Sequence, residues 1–292
     1  MGDHQRLWGA RGTLWVAIVL GFSILTCRAA PAETTLQRIL RTGEVRIGYA
    51  GEVPFGFRTP NGRVTGEAPE IARVMFARMG VPFITAVQTE FRALIRELRA
   101  GRFDVIAAGM TIVPERCREI AFSEPTYRTS VGFLVRAGNP RRVDGYEDIA
   151  HNPSLRLGVV AGTIELADAL ASGVDDEQLM IFPDALTAAS AVKIGRVDAY
   201  AATLLTVRAL AERDRRRLAR AQPDRSPIDI GWNGRRYYGG FGFRKEDGDL
   251  RDAFNRQLAA FIGTPEHLTL IGRFGFGPEN LPDRRTADLC QP

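Results

Sequence analysis

Residues 101–127 read GRFDVIAAGMTIVPERCREIAFSEPTY, and this stretch indicates both a fold and a binding site. The apolar run Phe103–Ala108 predicts a buried strand, Gly109–Thr111 a short turn, and Pro114 the first residue of a helix. Open α/β sheets bind ligands beyond the carboxyl ends of their strands, so this turn would offer backbone N–H groups and the Thr111 hydroxyl to a solute. Arg116 follows in the first helical turn, where its guanidinium can bind a carboxylate through two parallel hydrogen bonds. The stretch therefore predicts a site for a small solute that carries a carboxylate.

The rest of the chain indicates an α/β fold with two lobes. Predicted strands alternate with predicted helices before the breaker cluster Gly138–Pro140 and again after it, a pattern typical of parallel βαβ units. Extended crossings near Val135–Pro140 and Arg235–Gly240 would join two open sheets through a two-strand hinge. We expect lobe 1 to hold residues 33–136 and 240–292, and lobe 2 to hold residues 137–239, with the ligand cleft between them.

The N-terminus has the pattern of a secretory signal peptide. Two arginines precede an apolar run, Leu14–Leu25, and an A-x-A cleavage site follows at Ala30–Ala32. The run is too short to span a bilayer comfortably. We therefore expect residues 1–32 to be removed and the mature protein to be periplasmic. The alternative is a lipid anchor at Cys27.

The charge pattern argues against nucleic acid, and no metal site is predicted. The formal charge is +5, and it falls to +3 without the leader, which carries three Arg and one Asp. The arginine cluster 213–220 is interrupted by Asp214 and Leu218 and contains no aromatic residues on which bases would stack, so we interpret it as a solvated helix face. His151 and His267 show no ligand spacing with each other or with cysteine.

Two cysteines, Cys117 and Cys290, remain once the leader is removed. An even pair in an oxidising compartment favours a disulfide. Such a bond would tie the C-terminal tail to the helix that carries Arg116. The alternative is a pair of free, buried thiols.

From about Leu36 to Cys290, the chain resembles the periplasmic solute-binding proteins that feed polar amino acid ABC importers. Met110-Thr-Ile-x-Pro-Glu-Arg116 and Phe122-Ser-x-Pro-x-Tyr127 are similar to the signature of that family. Further blocks are similar to its ectoine/hydroxyectoine-binding subgroup. These are Thr65-Gly-Glu-Ala-Pro-Glu-Ile-Ala72, Gly138-Asn-Pro140, Phe243-Arg-Lys-Glu-Asp247, Phe261-Ile-Gly-Thr-Pro-Glu-His-Leu268 and Asp288-Leu-Cys290.

The resemblance implies a binding protein without a cofactor and without catalysis. A monomer would capture ectoine, hydroxyectoine or a similar zwitterionic solute and deliver it to an ABC permease in the inner membrane. One alternative is a polar amino acid-binding protein of the same family. Another is an enzyme, because periplasmic cyclohexadienyl dehydratases share this fold, and Glu52 or Glu165 would then serve as a general acid.

The resemblance implies that the solute carboxylate binds where two loops face each other. Thr111 and Arg116 would contact it from lobe 1. Gly162 and Thr163 would contact it from lobe 2, where the N–H groups of a helix N-terminus favour an anion.

The cationic part of the solute is expected between carboxylates and aromatic rings. The resemblance assigns this role to Glu52, Phe55, Phe91 and Glu165, since a delocalised cation stacks favourably on an aromatic face. The alternatives are that Phe55 is an ordinary core residue, that Phe91 fixes a turn, and that Glu165 only favours the helix dipole.

Two positions depart from the patterns of the family. General amino acid binders carry an acidic residue where this chain has Thr203, and that acid holds the α-ammonium group of the ligand. A buried ammonium without a partner is costly, so Thr203 argues against a plain α-amino acid. The ectoine subgroup tends to place an aromatic residue where this chain has Thr111, so one wall of an aromatic box would be missing.

Four further residues are left out of the predicted site. Tyr200 and Trp232 are candidates to face the cleft but are not assigned to it. Glu67 and Glu70 are expected to cap and solvate a helix.

Overall fold

The computed structural model of the protein describes residues 1–2, 32–221 and 236–291. The apolar run of the predicted leader and Cys27 lie outside the described residues, as do Trp232 and the first residue of the second predicted crossing, Arg235. Within the described part of the chain, no helix combines the length and the apolar character that crossing a bilayer requires.

The first sheet has three parallel strands on one side and antiparallel strands on the other. It is built from β1 (Glu44–Tyr49), β4 (Phe83–Gln88), β5 (Val105–Thr111), β6 (Ala121–Phe122), β7 (Tyr127–Thr129) and β13 (Tyr237–Phe243). The order is β4-β1-β5-β13-β6, and β7 also pairs with β13. β1 runs parallel to β4 and β5, whereas β13 runs antiparallel to β5. The carboxyl ends of β1 and β5 therefore lie at the same edge of this sheet.

The second sheet repeats this plan with five strands. It is built from β8 (Val131–Arg136), β9 (Leu157–Val160), β10 (Leu179–Phe182), β11 (Ala199–Thr203) and β12 (Leu218–Arg220), in the order β10-β9-β11-β8-β12. β9 is parallel to β10 and β11, and β8 is antiparallel to β11 and β12. All four residues of β9 are buried, as expected for a strand that helices cover on both faces.

Helices follow most of the parallel strands and pack on the sheets. Those of the first sheet are α1 (Thr35–Thr42), α2 (Glu67–Arg78), α3 (Leu94–Arg99), α4 (Pro114–Glu119), α9 (Gly248–Ala259), α10 (Pro265–Gly272) and α11 (Thr286–Leu289). Those of the second sheet are α5 (Tyr146–Ala150), α6 (Ile164–Ala171), α7 (Ala185–Lys193) and α8 (Leu204–Arg213). A two-stranded hairpin, β2 (Phe57–Arg58) and β3 (Val64–Thr65), precedes α2.

The prediction of a turn at Gly109–Thr111 was wrong, because these residues belong to β5. Gly239 and Gly240 of β13 pair with Thr111 and Met110, so the strand continues to Thr111. The returning strand lies far away in the sequence, and the local pattern of Gly109–Thr111 contains no sign of this pairing.

The sheet pairing also corrects the predicted lobe boundaries. Val131–Arg136 is predicted in lobe 1, but this segment is β8 and pairs with β11 and β12. Residues 237–239 are predicted in lobe 2, but they open β13 and pair with β7. The first crossing therefore lies at Ser130, between the adjacent strands β7 and β8. Lobe 1 is accordingly the first sheet with its helices, and lobe 2 is the second sheet with its helices.

A disulfide joins Cys117 to Cys290, with their Cα atoms 5.7 Å apart. Cys117 lies on α4 and Cys290 directly follows α11, so the bond fastens the C-terminal tail to the short helix that carries Arg116. The predicted pairing is thus compatible with the fold.

Candidate functional site

A small cavity lies between the lobes, where the strands β5 and β11 end. Lobe 1 lines it with the loop after β1, the turn at Phe91, the end of β5 and α4. Lobe 2 lines it with the turn after β9 and the end of β11. The lining residues are Glu52, Phe55, Phe91, Gly109, Thr111, Arg116, Thr163, Ile164, Glu165, Tyr200, Ala202 and Thr203. The free volume is about 20 Å³, roughly the space of one water molecule. A larger solute therefore enters only if the lobes separate or the side chains rearrange.

Arg116 links the two lobes through main-chain carbonyls. Its Nη1 donates to the Thr111 carbonyl at 2.8 Å, and its Nη2 donates to the Gly162 carbonyl of lobe 2 at 2.9 Å. The guanidinium also lies over the ring of Phe91, 5.4 Å from the centroid. Burial lowers the pKa of Arg116 from its usual value, and the nearby Glu165 carboxylate opposes this effect. The side chain is thus fixed in place with N–H groups left over for a solute.

Gly162 brings the lobes into close contact at the same point. Its φ of +81° favours glycine, and a Cβ atom there would lie 2.8 Å from Cα of Arg92 in lobe 1. The contact of Gly162 with the solute carboxylate stays a prediction. In the structure, the Gly162 carbonyl accepts a hydrogen bond from Arg116.

Glu52 is held from the opposite lobe by two threonines. The Thr206 hydroxyl donates to Glu52 Oε1 at 2.6 Å, and the Thr203 hydroxyl donates to Thr206 Oγ1 at 3.1 Å. Thr203 also caps α8, because its hydroxyl accepts from the Thr206 N–H. Burial raises the pKa of Glu52 to about 7, against the opposing effect of the Thr206 hydrogen bond. Thr203 stands where amino acid binders carry an acid. Here it forms a relay with Thr206 that orients Glu52 of lobe 1.

Glu165 is the second carboxylate that lines the cavity. It lies in the first turn of α6 and is almost completely buried. Burial raises its pKa to about 7, and repulsion from Glu52 adds to this rise, while main-chain and Thr163 hydrogen bonds oppose it. Among the described residues, neither carboxylate forms an ion pair with Arg116. A cationic group that enters the cavity would therefore find two carboxylates without a guanidinium partner.

Two aromatic rings close the lobe 1 side of the cavity. Phe55 is 1% exposed, and its ring packs against Tyr127 with centroids 4.9 Å apart. Gly109 allows this, because a Cβ atom there would lie 2.2 Å from the Phe55 ring. Phe91 is buried beneath the Arg116 guanidinium. Phe55 therefore belongs to the core and also lines the cavity. At the level of the sequence, these two roles were alternatives.

The structure brings the predicted ligand-binding residues together in one place. All of them line the cavity except Gly162, which accepts the hydrogen bond from Arg116 beside it. Tyr200 also lines the cavity, although it is absent from the predicted site. It lies on β11, the strand that ends at the assigned Thr203, and this shared strand is a signal that would have included it. Thr206 was missed altogether, because a threonine inside a helix gives no sign of a contact with a distant loop.

Glu67 does not solvate a helix, contrary to our prediction. It is 1% exposed, and neither carboxylate oxygen has a hydrogen-bond partner of normal geometry among the described residues. Burial raises its pKa to about 7, and the nearby Thr126 opposes this rise. Gly66 is the N-cap residue that precedes α2. It has a φ of +127° and packs against the Phe55 backbone, and this close contact directs Glu67 inward. Glu70, in contrast, forms ion pairs with Arg63 and Arg73 near the surface, as a scaffold residue would.

The arrangement suits the binding of a small zwitterion. One buried guanidinium and the N-terminus of α6 favour a carboxylate, while two carboxylates and the aromatic rings of Phe55, Phe91 and Tyr200 favour a cation. The described residues contain no cluster of three or more His, Cys, Asp or Glu that would hold a metal ion.

Comparisons with known proteins agree with this geometry. A probable amino-acid ABC transporter periplasmic-binding protein of Sinorhizobium fredii is 36% identical over 279 residues, which are 94% of this chain and 92% of that protein. The solved structure of EhuB in complex with hydroxyectoine is similar, with a TM-score of 0.81 and 32% identity over 89% of this chain and 98% of that chain. A cyclohexadienyl dehydratase of Pseudomonas aeruginosa is 27% identical over 167 residues, 57% of this chain and 61% of that protein.

The likeness to EhuB confirms the predicted fold, with two α/β lobes. The pattern of the bacterial extracellular solute-binding proteins, family 3, matches residues 45–275 and thus both lobes. The resemblance that the motifs of the sequence indicate is confirmed by the same match. This protein belongs to family 3 of the bacterial extracellular solute-binding proteins.

Proposed function

We propose that the protein captures ectoine, hydroxyectoine or a similar zwitterion with a delocalised cation. Proteins of this family bind small, amino acid-like ligands and work with an ABC permease. The observation that carries the finer proposal is the pair of carboxylates, Glu52 and Glu165, which line one cavity without a guanidinium partner among the described residues. A similar structure, EhuB, binds hydroxyectoine.

The relay at Thr203 supports a solute other than a plain α-amino acid. Thr203 is uncharged, and its hydroxyl is already engaged with Thr206, so this position offers no charge to an ammonium group. The acid that would face the cation is Glu52, on the other lobe and beside Phe55. A planar amidinium can stack on an aromatic ring while its N–H groups donate hydrogen bonds to carboxylates on either side. A compact ammonium does this less well.

The main alternative is a polar amino acid, and Thr111 favours it. A threonine at this position is typical of amino acid binders, and it supplies no aromatic wall where the ectoine subgroup tends to have one; the third aromatic residue of the cavity is Tyr200 of lobe 2. The similar protein of Sinorhizobium fredii is also a probable amino-acid binder. In this alternative, Glu52 or Glu165 would hold the α-ammonium group instead of an acid at position 203.

The minor, catalytic alternative rests on the same two carboxylates. A pKa of about 7 suits a general acid at neutral pH, and a similar protein is a cyclohexadienyl dehydratase. An assay for dehydration of a cyclohexadienyl carboxylate tests this directly. Turnover above the uncatalysed rate would contradict the proposal of a binding protein without chemistry.

We also propose where the protein works and in which oligomeric state. A cleaved leader at residues 1–32 would place the protein in the periplasm, as a monomer that presents its solute to an inner-membrane permease. Size and N-terminal sequence of the protein recovered from a periplasmic extract test the cleavage site against a lipid anchor at Cys27.

The deciding experiment is a thermal-shift panel on the exported protein. The panel holds ectoine, hydroxyectoine, betaines, and acidic, basic and polar amino acids. A ligand at a hundredfold excess over its Kd stabilises the folded state by about 2.7 kcal/mol. We expect the ectoines to raise the midpoint and the α-amino acids to leave it unchanged.

A matched variant sharpens the panel. Thr203→Asp restores the acid that general amino acid binders carry, so we expect it to gain binding of α-amino acids. A shift of the unmodified protein with amino acids alone would contradict the ectoine proposal and support the alternative.

A further inference from the structure

A second groove lies between the lobes, on the other side of the loop that carries Glu52. Its volume is about 400 Å³, within the range of small-molecule sites. Lobe 1 contributes the residues after Glu52 and the segment after α10, and lobe 2 contributes α8. The lining residues are Val53, Pro54, Phe57, Leu205, Arg208, Ala209, Glu212, Arg213, Arg273, Phe274 and Gly275. Among the described residues, none lines both this groove and the solute cavity.

The groove is rich in positive charge that the described residues do not neutralise by ion pairs. Arg208 and Arg213 approach it from α8, and Arg273 approaches it from lobe 1. In the described part of the chain, none of the three guanidinium groups has an ion-pair or hydrogen-bond partner. Glu212 is the one acidic residue among the described residues that line the groove, so together they carry a net charge of +2. A guanidinium binds a carboxylate through two parallel N–H···O bonds, and three of them would match two carboxylates.

The floor of the groove is apolar. Val53 and Leu205 are buried there, and Phe57 and Phe274 are half-buried. Burial of carbon contributes about 25 cal/mol per Å² of apolar surface. An inorganic dianion would use the charges but not this floor, whereas a dicarboxylate with a short carbon chain would use both.

We propose that this interlobe groove binds a small dicarboxylate. Residues of both lobes form it, so the groove exists in this shape only when the lobes are in contact. A dicarboxylate that bridges Arg208 and Arg273 would therefore favour the closed arrangement of the lobes.

The groove is mechanically connected to the solute cavity. Val53 adjoins Glu52 in sequence, and Leu205 adjoins Thr206, the residue that donates a hydrogen bond to Glu52. Occupancy of either site favours the same arrangement of the lobes. Because coupling between two sites is reciprocal, a dicarboxylate in the groove would tighten solute binding, and the solute would tighten dicarboxylate binding by the same factor.

The test is a calorimetric titration of glutarate into the exported protein without any solute, so it does not depend on the proposed ligand. We expect saturable binding of glutarate that is at least tenfold tighter than binding of butyrate or sulfate at matched ionic strength. Butyrate has the carbon chain with one charge, and sulfate has two charges without a chain.

Variants locate the site. The double variant Arg208→Gln/Arg273→Gln should weaken glutarate binding at least tenfold while circular dichroism shows an unchanged fold. Arg256→Gln removes one positive charge from an exposed position on α9 and should leave the binding unchanged. Absence of saturable glutarate binding, an equal response to sulfate, or binding that survives the double variant would each overturn the proposal.

Discussion

Asp104 and Glu52 are both lobe 1 carboxylates whose pKa burial tends to raise, but the protein treats them in opposite ways. Asp104 forms ion pairs with Arg38 at 2.6 Å and Arg46 at 2.8 Å, and Arg244 lies 3.6 Å away. Burial would raise the pKa of Asp104, but the hydrogen bonds from Arg46 and Arg38 outweigh burial and lower it. Glu52 has a threonine hydroxyl instead, and its pKa rises to about 7.

The difference separates scaffold from site. Around Asp104, the protein supplies every opposite charge itself, and the cluster joins α1, β1 and β13 into one unit. In the cleft, Arg116 donates to carbonyls, and Glu52 and Glu165 lack guanidinium partners among the described residues. Charges without a protein partner mark the place where a solute can supply the missing partner.

The largest expected effect is on the scaffold side of this comparison. Asp104→Asn takes the buried carboxylate away from the partly exposed Arg38 and Arg46 and from the buried Arg244, so the loss should lie at the lower end of the range of about 3–5 kcal/mol typical of a broken buried pair. Urea unfolding at pH 7 measures the loss. Asp252→Asn is the matched control, because Asp252 pairs with Arg251 at the surface and such pairs contribute about 0–1 kcal/mol. Equal effects of the two variants would show that the Asp104 cluster contributes no more than a surface pair.

Glu67 extends the comparison to a buried acid that forms no ion pair with an arginine among the described residues and does not line the solute cavity. Its folded pKa of about 7 lies above the ordinary value of 4.5, so the folded state binds the proton more tightly. Its contribution to stability is therefore full below pH 4.5 and is lost as the pH rises to about 7. Ionisation of Glu67 should lower the free energy of unfolding by roughly 3 kcal/mol between pH 4.5 and 8, and Glu67→Gln should abolish this decrease.

Urea unfolding at several pH values checks this prediction. Glu246→Gln is the matched control, since Glu246 is exposed and should leave the pH profile unchanged. A parallel pH profile for the Glu67 variant and the unmodified protein would contradict the assignment of a raised pKa to Glu67.

The acids of the cleft should make solute binding depend on pH. Ionised carboxylates attract a cation, and both Glu52 and Glu165 titrate near pH 7. Lowering the pH from 8 to 6 protonates them and should weaken the affinity by about tenfold for each carboxylate. Calorimetry with the solute from the thermal-shift panel measures this. Glu165→Gln should bind more weakly at pH 8 and show a smaller pH dependence, and an unaltered slope would argue that Glu165 does not contact the cation.

The smallest effect concerns the orientation of Glu52. Thr206→Val removes the hydroxyl that donates to this carboxylate and should lower solute affinity by about tenfold, since a hydrogen bond to a charged group is worth about 1.5–3 kcal/mol. Thr206→Ser keeps the donor and should retain most of the affinity. Equal losses in the two variants would indicate that the packing of Thr206 matters and that its hydrogen bond does not.

Local pattern was sufficient for most of the fold. The apolar run Phe103–Ala108 was predicted as a strand, and Val105–Ala108 do belong to β5, since parallel strands covered on both faces are almost wholly apolar. The sequence could not show which sheet a strand joins. Val131–Arg136 is as apolar as a lobe 1 strand would be, and only its pairing with β11 places it in lobe 2.

The candidate site was predictable where a motif carried it and hidden where the tertiary structure created it. Arg116 and Thr163 stand in recognisable blocks of sequence. The contact between Thr206 and Glu52 spans 154 residues, and no local pattern encodes it. The burial of Glu67 was equally hidden, because a glutamate at the first position of a helix is ordinarily a solvated one.

The position of β13 inside the first sheet has a consequence for synthesis and export. Its partners β5 and β6 leave the ribosome early, but β13 follows only after all of lobe 2. Until then, β5 has an open edge of unpaired N–H and C=O groups, which is a template for association with another chain. The described strands of the second lobe, in contrast, all lie within residues 131–220. We therefore expect a chain stopped before Tyr237 to hold every described strand of lobe 2 beside an aggregation-prone lobe 1, so that release of an unfinished chain exposes an unpaired sheet edge.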